Sequence, residues 1–219
     1  MSKRLVFILI ALMAVAAVAA TSSVTGMFMD LRDGKKYKTV KIGNQTWMAE
    51  NLNFKTQDSY CYEDNESKCS KYGRLYKRQV ALKACPAGWH LPSEKEFGVL
   101  LDVVGGDSIA GEALDLSANR SLSLDDFPDL TYVFGLDSLL TYEFSTKALW
   151  SFSFGLARAG YRRDDGIYFE GGAEAFFWCS EEESSYEAWY MGLRIYGSVE
   201  LDYKPKYYAY SVRCVKDNP

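Results

Sequence analysis

Five cysteines constrain this chain more than any other feature, because its N-terminus reads as an address for an oxidising compartment. Met1-Ser2-Lys3-Arg4 carries two cations, Leu5 to Val18 is almost wholly apolar, and Ala17-Val18-Ala19-Ala20 supplies small residues. That order is the pattern of a cleavable secretory signal, placed here at residues 1–20. The apolar run falls short of the roughly 20 residues a helix needs to cross a bilayer core, so no stable transmembrane segment is expected after cleavage. Cleavage after Ala19 or after Ala20 fits equally, and no cysteine follows closely enough for lipid modification. A buried N-terminal helix would show a polar face, and this run has none.

In an exported protein Cys61, Cys69, Cys85, Cys179 and Cys214 are expected to pair, and the odd count leaves at least one over. Cys61 and Cys69 bracket a polar stretch, Tyr62 to Lys68, that reads as an exposed loop closed at its base. Cys85 opens a segment leading into a helix and Cys214 sits in the last strand-like run, so pairing them would tie the start of the core to its end. In a chain-entropy treatment the long loop contributes roughly 5 kcal/mol and the short one about 2.5 kcal/mol. Cys179 is then the free thiol. Sequence alone does not fix this connectivity. No C-x-x-C pair occurs and His90 is the single histidine, so no metal site is expected.

Removal of Lys3 and Arg4 takes the formal charge from −4 to −6. An acidic chain with interspersed charges lacks the basic face that phosphate contacts need, which argues against nucleic acid as a partner. Aromatic residues make up 15% of the chain, enough to supply both a core and a binding face.

Residues 21–29 read as a short extended lead-in. The turn dipeptides Asp33-Gly34 and Gly43-Asn44 then separate β-prone runs, predicting a three-stranded meander through Phe28–Leu31, Tyr37–Ile42 and Gln45–Ala49. Ser93 with Glu96 three residues on forms a capping box. Phe97, Leu100, Leu101 and Val104 follow at helical spacing, and Gly105-Gly106 ends the helix. An earlier helix is expected over Leu75–Ala84 and a shorter one over Gly111–Leu116. From Asp125 the chain turns aromatic and Gly-punctuated, with strands expected at Phe176–Ser180, Ala188–Arg194 and Tyr208–Val215. Helices early and a sheet late, without βαβ alternation, predict an α+β domain.

The runs Asp33 to Leu52, Tyr72-Gly73-Arg74-Leu75-Tyr76, Cys85 to Ser93 and Ser211 to Asp217 closely resemble the Fibrobacter succinogenes major paralogous domain. The resemblance spans residues 30–217, with least correspondence over about 117–153. It implies a distant similarity to the C-type lectin-like and formylglycine-generating-enzyme fold: two helices packed on a twisted, loop-rich antiparallel sheet. It supports pairing Cys61 with Cys69 and Cys85 with Cys214, and leaves Cys179 where the family more usually has Ser or Thr. It also implies an exported, surface-associated protein without naming an activity.

Neither Glu-Pro-Asn nor Gln-Pro-Asp nor Trp-Asn-Asp occurs, so calcium-dependent sugar binding in the C-type lectin manner has no motif here. The acidic clusters Asp125-Asp126, Asp164-Asp165 and Glu181–Glu183 read as solvated turns. Oxidase chemistry needs a reactive cysteine pair near the C-terminal strands, where Cys214 is already committed. His90, the lone candidate base, lies in Trp89-His90-Leu91-Pro92, where a packed, hydrogen-bonded imidazole is the ordinary explanation. No P-loop, dinucleotide fingerprint, nucleophile elbow or H-E-x-x-H is present. No catalytic residue and no cofactor is therefore assigned. The expectation is a non-catalytic binding or adhesion module at the cell surface, with polysaccharide or envelope proteins as partners. The alternatives are a secreted glycan-active enzyme working through two carboxylates, or a structural envelope component. Rings crowd the second half of the chain: Tyr168, Trp178, Trp189, Tyr190, Tyr196, Tyr203 and Tyr207. Tyr168, Trp189, Tyr203 and Tyr207 are taken as the ligand-binding candidates, with Tyr203-Lys204-Pro205-Lys206-Tyr207 the loop expected to keep rings exposed.

Overall fold

Two turns that need left-handed backbone set the first layer. Gly34 (φ 74°) and Gly43 (φ 57°) adopt it without strain. The chain therefore folds back twice through β1 (Thr25–Met29), β2 (Lys36–Ile42) and β3 (Gln45–Met48), an antiparallel meander as the sequence predicts. The computed structural model describes residues 25–106, 110, 154–194 and 197–217. The signal over 1–20, the helix expected over 111–116, Asp125-Asp126 and Tyr196 lie outside them.

After β4 (Ser59–Tyr60) come a short 3-10 turn, α1 (Glu66–Tyr72), β5 (Leu75–Lys77), α2 (Arg78–Ala81), β6 (Trp89–His90) and α3 (Glu94–Val103). The second half supplies β7 (Tyr161–Arg162), β8 (Tyr168–Phe169), β9 (Ala175–Glu182), β10 (Glu187–Leu193), β11 (Val199–Pro205), β12 (Ala209–Ser211) and β13 (Val215–Lys216). One five-stranded sheet runs β1-β2-β3-β13-β6. A second runs β11-β10-β9-β12-β5-β4, with β7 and β8 branching from β12. The described residues are thus mostly β with a few short helices.

The sequence of β9 explains how the two layers close. Phe176 and Trp178 enter one apolar cluster with Tyr76, Tyr190, Tyr210 and Met48. Phe177 and Cys179 enter another with Trp47, Phe97, Leu100 and Met191. A strand covered on both faces shows no polar alternation, which is why Ala175 to Cys179 reads as a continuous apolar run. Trp178 and Tyr190 are therefore core. The Trp178 indole donates to the Tyr76 carbonyl at 2.9 Å, so the buried ring keeps its polar atom satisfied.

The capping box forms as expected: the Ser93 hydroxyl accepts from the Glu96 amide at 3.1 Å and the Glu96 carboxylate accepts from the Ser93 amide at 2.8 Å. Three expectations are corrected. Leu75–Ala84 is not one helix: Leu75 to Lys77 pair with Ser211 to Ala209, and only Arg78–Ala81 is helical. Sheet pairing there overrides local helical preference. The polar stretch from Cys61 is not all loop, because the Asn65 side chain accepts from the Ser67 amide at 3.0 Å and caps α1. Tyr208–Val215 is not one strand. Its first part pairs with β5 and β9 and its last with β3 and β6, so the chain crosses between sheets at residues 212–214.

The sulfurs of Cys61 and Cys69 are bonded, as are those of Cys85 and Cys214, across sequence separations of 8 and 129 residues. Cys179 is free and buried. Replacing both Cys85 and Cys214 by alanine is expected to lower the unfolding free energy by about 2–5 kcal/mol, against a smaller loss for the Cys61/Cys69 pair. Urea midpoints of the two double variants check the order.

Candidate functional site

Four segments distant in sequence wall a groove of about 330 Å³. Its lining comprises Asp58, Lys77, Gln79, Val80, Ser185, Tyr186, Lys206 and Tyr207. The β9–β10 hairpin supplies Tyr186: the Ser184 hydroxyl accepts from the Tyr186 and Glu187 amides at 3.2 and 3.1 Å and shapes that turn. The β11–β12 turn supplies Tyr207, closed by the Tyr208 amide on the Pro205 carbonyl at 3.1 Å. Pairing of Glu187 with Pro205, then the Lys206 amide on the Tyr186 carbonyl at 2.9 Å, brings the two turns side by side. Opposite them, β5 delivers Lys77, which lies in register with Ala209.

The charges at this groove are paired. Lys77 meets Asp58 at 3.0 Å, and the Tyr60 hydroxyl donates to the same carboxylate at 3.0 Å. Those bonds, Lys77 first, hold Asp58 below its ordinary pKa, while Asp58 raises Lys77. Lys206 meets Glu182 at 2.8 Å and donates to the Ser184 and Ser185 carbonyls at 2.6 and 3.2 Å. Its hydrogen bond lowers the Glu182 pKa. Between these neutralised pairs stand two exposed rings, Tyr186 at 78% and Tyr207 at 50%.

The Fibrobacter succinogenes major domain matches residues 40–216, a span that includes every groove residue. The chain belongs to that family. No curated protein and no solved structure matches it.

In this Fibrobacter succinogenes major domain the four candidate rings do not form one face. Tyr207 lines the groove. Trp189 and Tyr203 pair across β10 and β11, their centroids 5.7 Å apart, with the Trp189 indole donating to Glu183 at 2.9 Å. Trp189 packs against the α3 side of the core, and only Tyr203 is markedly exposed. Tyr168 packs edge-on against Tyr62 at 5.3 Å and donates to Asp64 at 2.6 Å. Burial, then that carboxylate, pushes its hydroxyl up to about 12. Tyr186 was missed by sequence reasoning because it follows the acidic Glu181–Ser185 run, whose only readable signal was a turn.

Other chemistry-bearing groups are structurally engaged. Cys61, Glu66 and Cys69 are the one group among the described residues with metal-ligand proximity, yet the two sulfurs are bonded to each other. Burial pushes the Cys179 thiol far up, which keeps it protonated and unreactive. Arg194 joins Glu174, at 2.9 Å, to Glu200, which also accepts from the Tyr190 hydroxyl.

His90 lies between Asp217 (2.6 Å from Nδ1) and Glu96 (2.9 Å from Nε2). Burial lowers its pKa, but the bonds to the two carboxylates outweigh it and the net shift is upward. Burial acts to raise the Glu96 pKa and is outweighed by its bonds to Ser93 and His90, so the net shift there is downward. The His90 contribution to stability is therefore complete below the ordinary histidine pKa and lost as pH rises through the raised one. The Glu96 contribution is complete above the ordinary glutamate pKa and lost as pH falls through the lowered one. Urea unfolding from pH 4 to 9 is expected to show the alkaline loss in the native protein and not in His90→Gln.

Proposed function

We propose that this chain is an exported, surface-located, non-catalytic binding module whose groove at Tyr186 and Tyr207 takes a segment of neutral polysaccharide. One observation carries the reading: two exposed rings share a groove whose lysines and acids are already paired. Ring faces cover sugar C–H surfaces, while Gln79, Ser185 and the paired head groups offer hydrogen bonds without a net charge to repel or demand one. Two cysteine pairs at bonding distance, and the lack of any helix among the described residues long and apolar enough to cross a membrane, are compatible with export. The tie from the segment between α2 and β6 to the crossing just before β13, through Cys85 and Cys214, supports reading the architecture as C-type lectin-like. An envelope protein is the other partner class this surface could serve.

A second reading, a glycan-active enzyme using two carboxylates, has its best pair in Glu174 and Glu200. Both carboxylates are ion-paired to Arg194, whose guanidinium stands between them where glycoside hydrolysis needs the scissile bond.

Pull-down on insoluble cellulose and xylan, run with a reducing-sugar assay, separates these readings. The expected result is retention without sugar release, weakened roughly tenfold in Tyr186→Ala/Tyr207→Ala, about 1.4 kcal/mol for two stacking rings. Release of reducing sugar would establish the enzyme instead. Retention unchanged in the double variant would remove the groove from the account.

A further inference from the structure

Among the described residues, the other sheet edges are blunted. β4, β6 and β8 have two residues each, and β11 carries Glu200, Asp202, Lys204 and Pro205. Short, charged or proline-bearing edges resist further pairing. β1 has none of these protections. It ends the five-stranded sheet as Thr-Gly-Met-Phe-Met, five residues without charge or proline.

Its orientation is fixed by packing. Phe28 turns inward against Tyr37 and Trp89, with ring centroids 5.8 and 4.9 Å away. A Cβ at residue 26 would come within 2.8 Å of the Thr39 hydroxyl, its partner in register on the same face as Phe28. Met27 and Met29 therefore face outward, 66% and 47% exposed, and Leu31 continues the alternation at 86%. In register beside them, Lys38 stands opposite Met27 and Lys36 opposite Met29, both exposed. Neither lysine is ion-paired among the described residues, and the Glu50 carboxylate beside them accepts from the Lys38 backbone amide at 2.8 Å.

We propose that β1 is a docking strand for an extended segment of another protein that alternates apolar and acidic residues and adds to the sheet beyond β1. The edge, unpaired among the described residues, supplies backbone donors and acceptors, Met27 and Met29 supply the apolar floor, and Lys36 and Lys38 select negative charge. An added strand lies about 10 Å from β2, a gap that a lysine and a glutamate side chain bridge together. A second copy of β1 brings no acid to meet the lysines. A lipid surface leaves the edge amides and carbonyls unsatisfied. This inference does not rest on the groove reading.

The test uses the intact protein with a nine-residue peptide alternating valine and glutamate, and a counterpart with lysine in place of glutamate. Calorimetry is expected to show binding of the glutamate peptide only, with slowed amide exchange across residues 25–29. In Lys36→Glu/Lys38→Glu, checked for an unchanged thermal midpoint, the glutamate peptide should weaken roughly tenfold or more and the lysine peptide should gain. Three results would overturn the proposal: no binding of the glutamate peptide, equal binding of both peptides, or unchanged exchange in β1. Protection of β1 that rises with protein concentration alone would assign the edge to self-association instead.

Discussion

A guanidinium with no carboxylate partner among the described residues holds the two sheets together. Arg213 is wholly buried at the crossing from β12 to β13. It donates to the carbonyls of Met48 (3.2 Å), Phe154 (2.5 Å) and Gly155 (2.8 Å), and to the Asn51 side-chain oxygen. The Asn51 amide in turn donates to the Tyr72 carbonyl at 2.8 Å, the Ala157 carbonyl at 3.4 Å and the Ser211 hydroxyl at 3.3 Å. The rings of Phe154 and Phe177 lie 4.8 and 5.6 Å from the guanidinium carbon. Burial brings the Arg213 pKa down to about 9, which still leaves it charged at neutral pH. Buried charge is costly unless dipoles replace water, and here backbone carbonyls do so. The end of β3, the end of α1, the chain at residues 154–157 and the crossing strand all meet at this one pair.

The rest of the architecture follows from that junction. Because the crossing is fixed, β13 can close against β3 while β12 pairs with β5 and β9, and the disulfide from Cys85 reaches Cys214 next to the guanidinium. The second sheet is then covered on both faces and absorbs Trp178, Tyr190 and Tyr210 as core. Of the exposed rings, Tyr203 stands on β11, whereas Tyr186 and Tyr207 belong to two turns, held by Lys206 and Ser184, that make the groove. Core and candidate site thus draw on the same aromatic composition but are separated by where strands end.

Local signals were legible where a few neighbouring residues decide the outcome. The glycine turns of the meander and the Ser93–Glu96 box needed nothing from the rest of the chain. Leu75-Tyr76-Lys77 reads as helix because its three-residue partner β12 lies some 130 residues away and its near partner, β4, is only two residues long. The crossing at residues 212–214 leaves no local trace, because Tyr208, Tyr210, Val212 and Cys214 all enter one apolar cluster and the side-chain pattern runs on through the change of partner strand. Tyr207 was found because Pro205 marks a turn. Tyr186 was not, since its place beside Tyr207 depends on the Lys206 contact between the two turns. Trp189 shows the converse, an interface-type residue whose ring is spent largely on packing.

If the Asn51–Arg213 pair is the junction on which both sheets depend, its two members must act as a unit. A double-mutant cycle with Asn51→Ala and Arg213→Met, read by urea unfolding, tests this most directly. Each single variant is expected to be strongly destabilised, with a coupling energy above about 1 kcal/mol. Losses that add to within about 0.5 kcal/mol would show two independent contacts and contradict it.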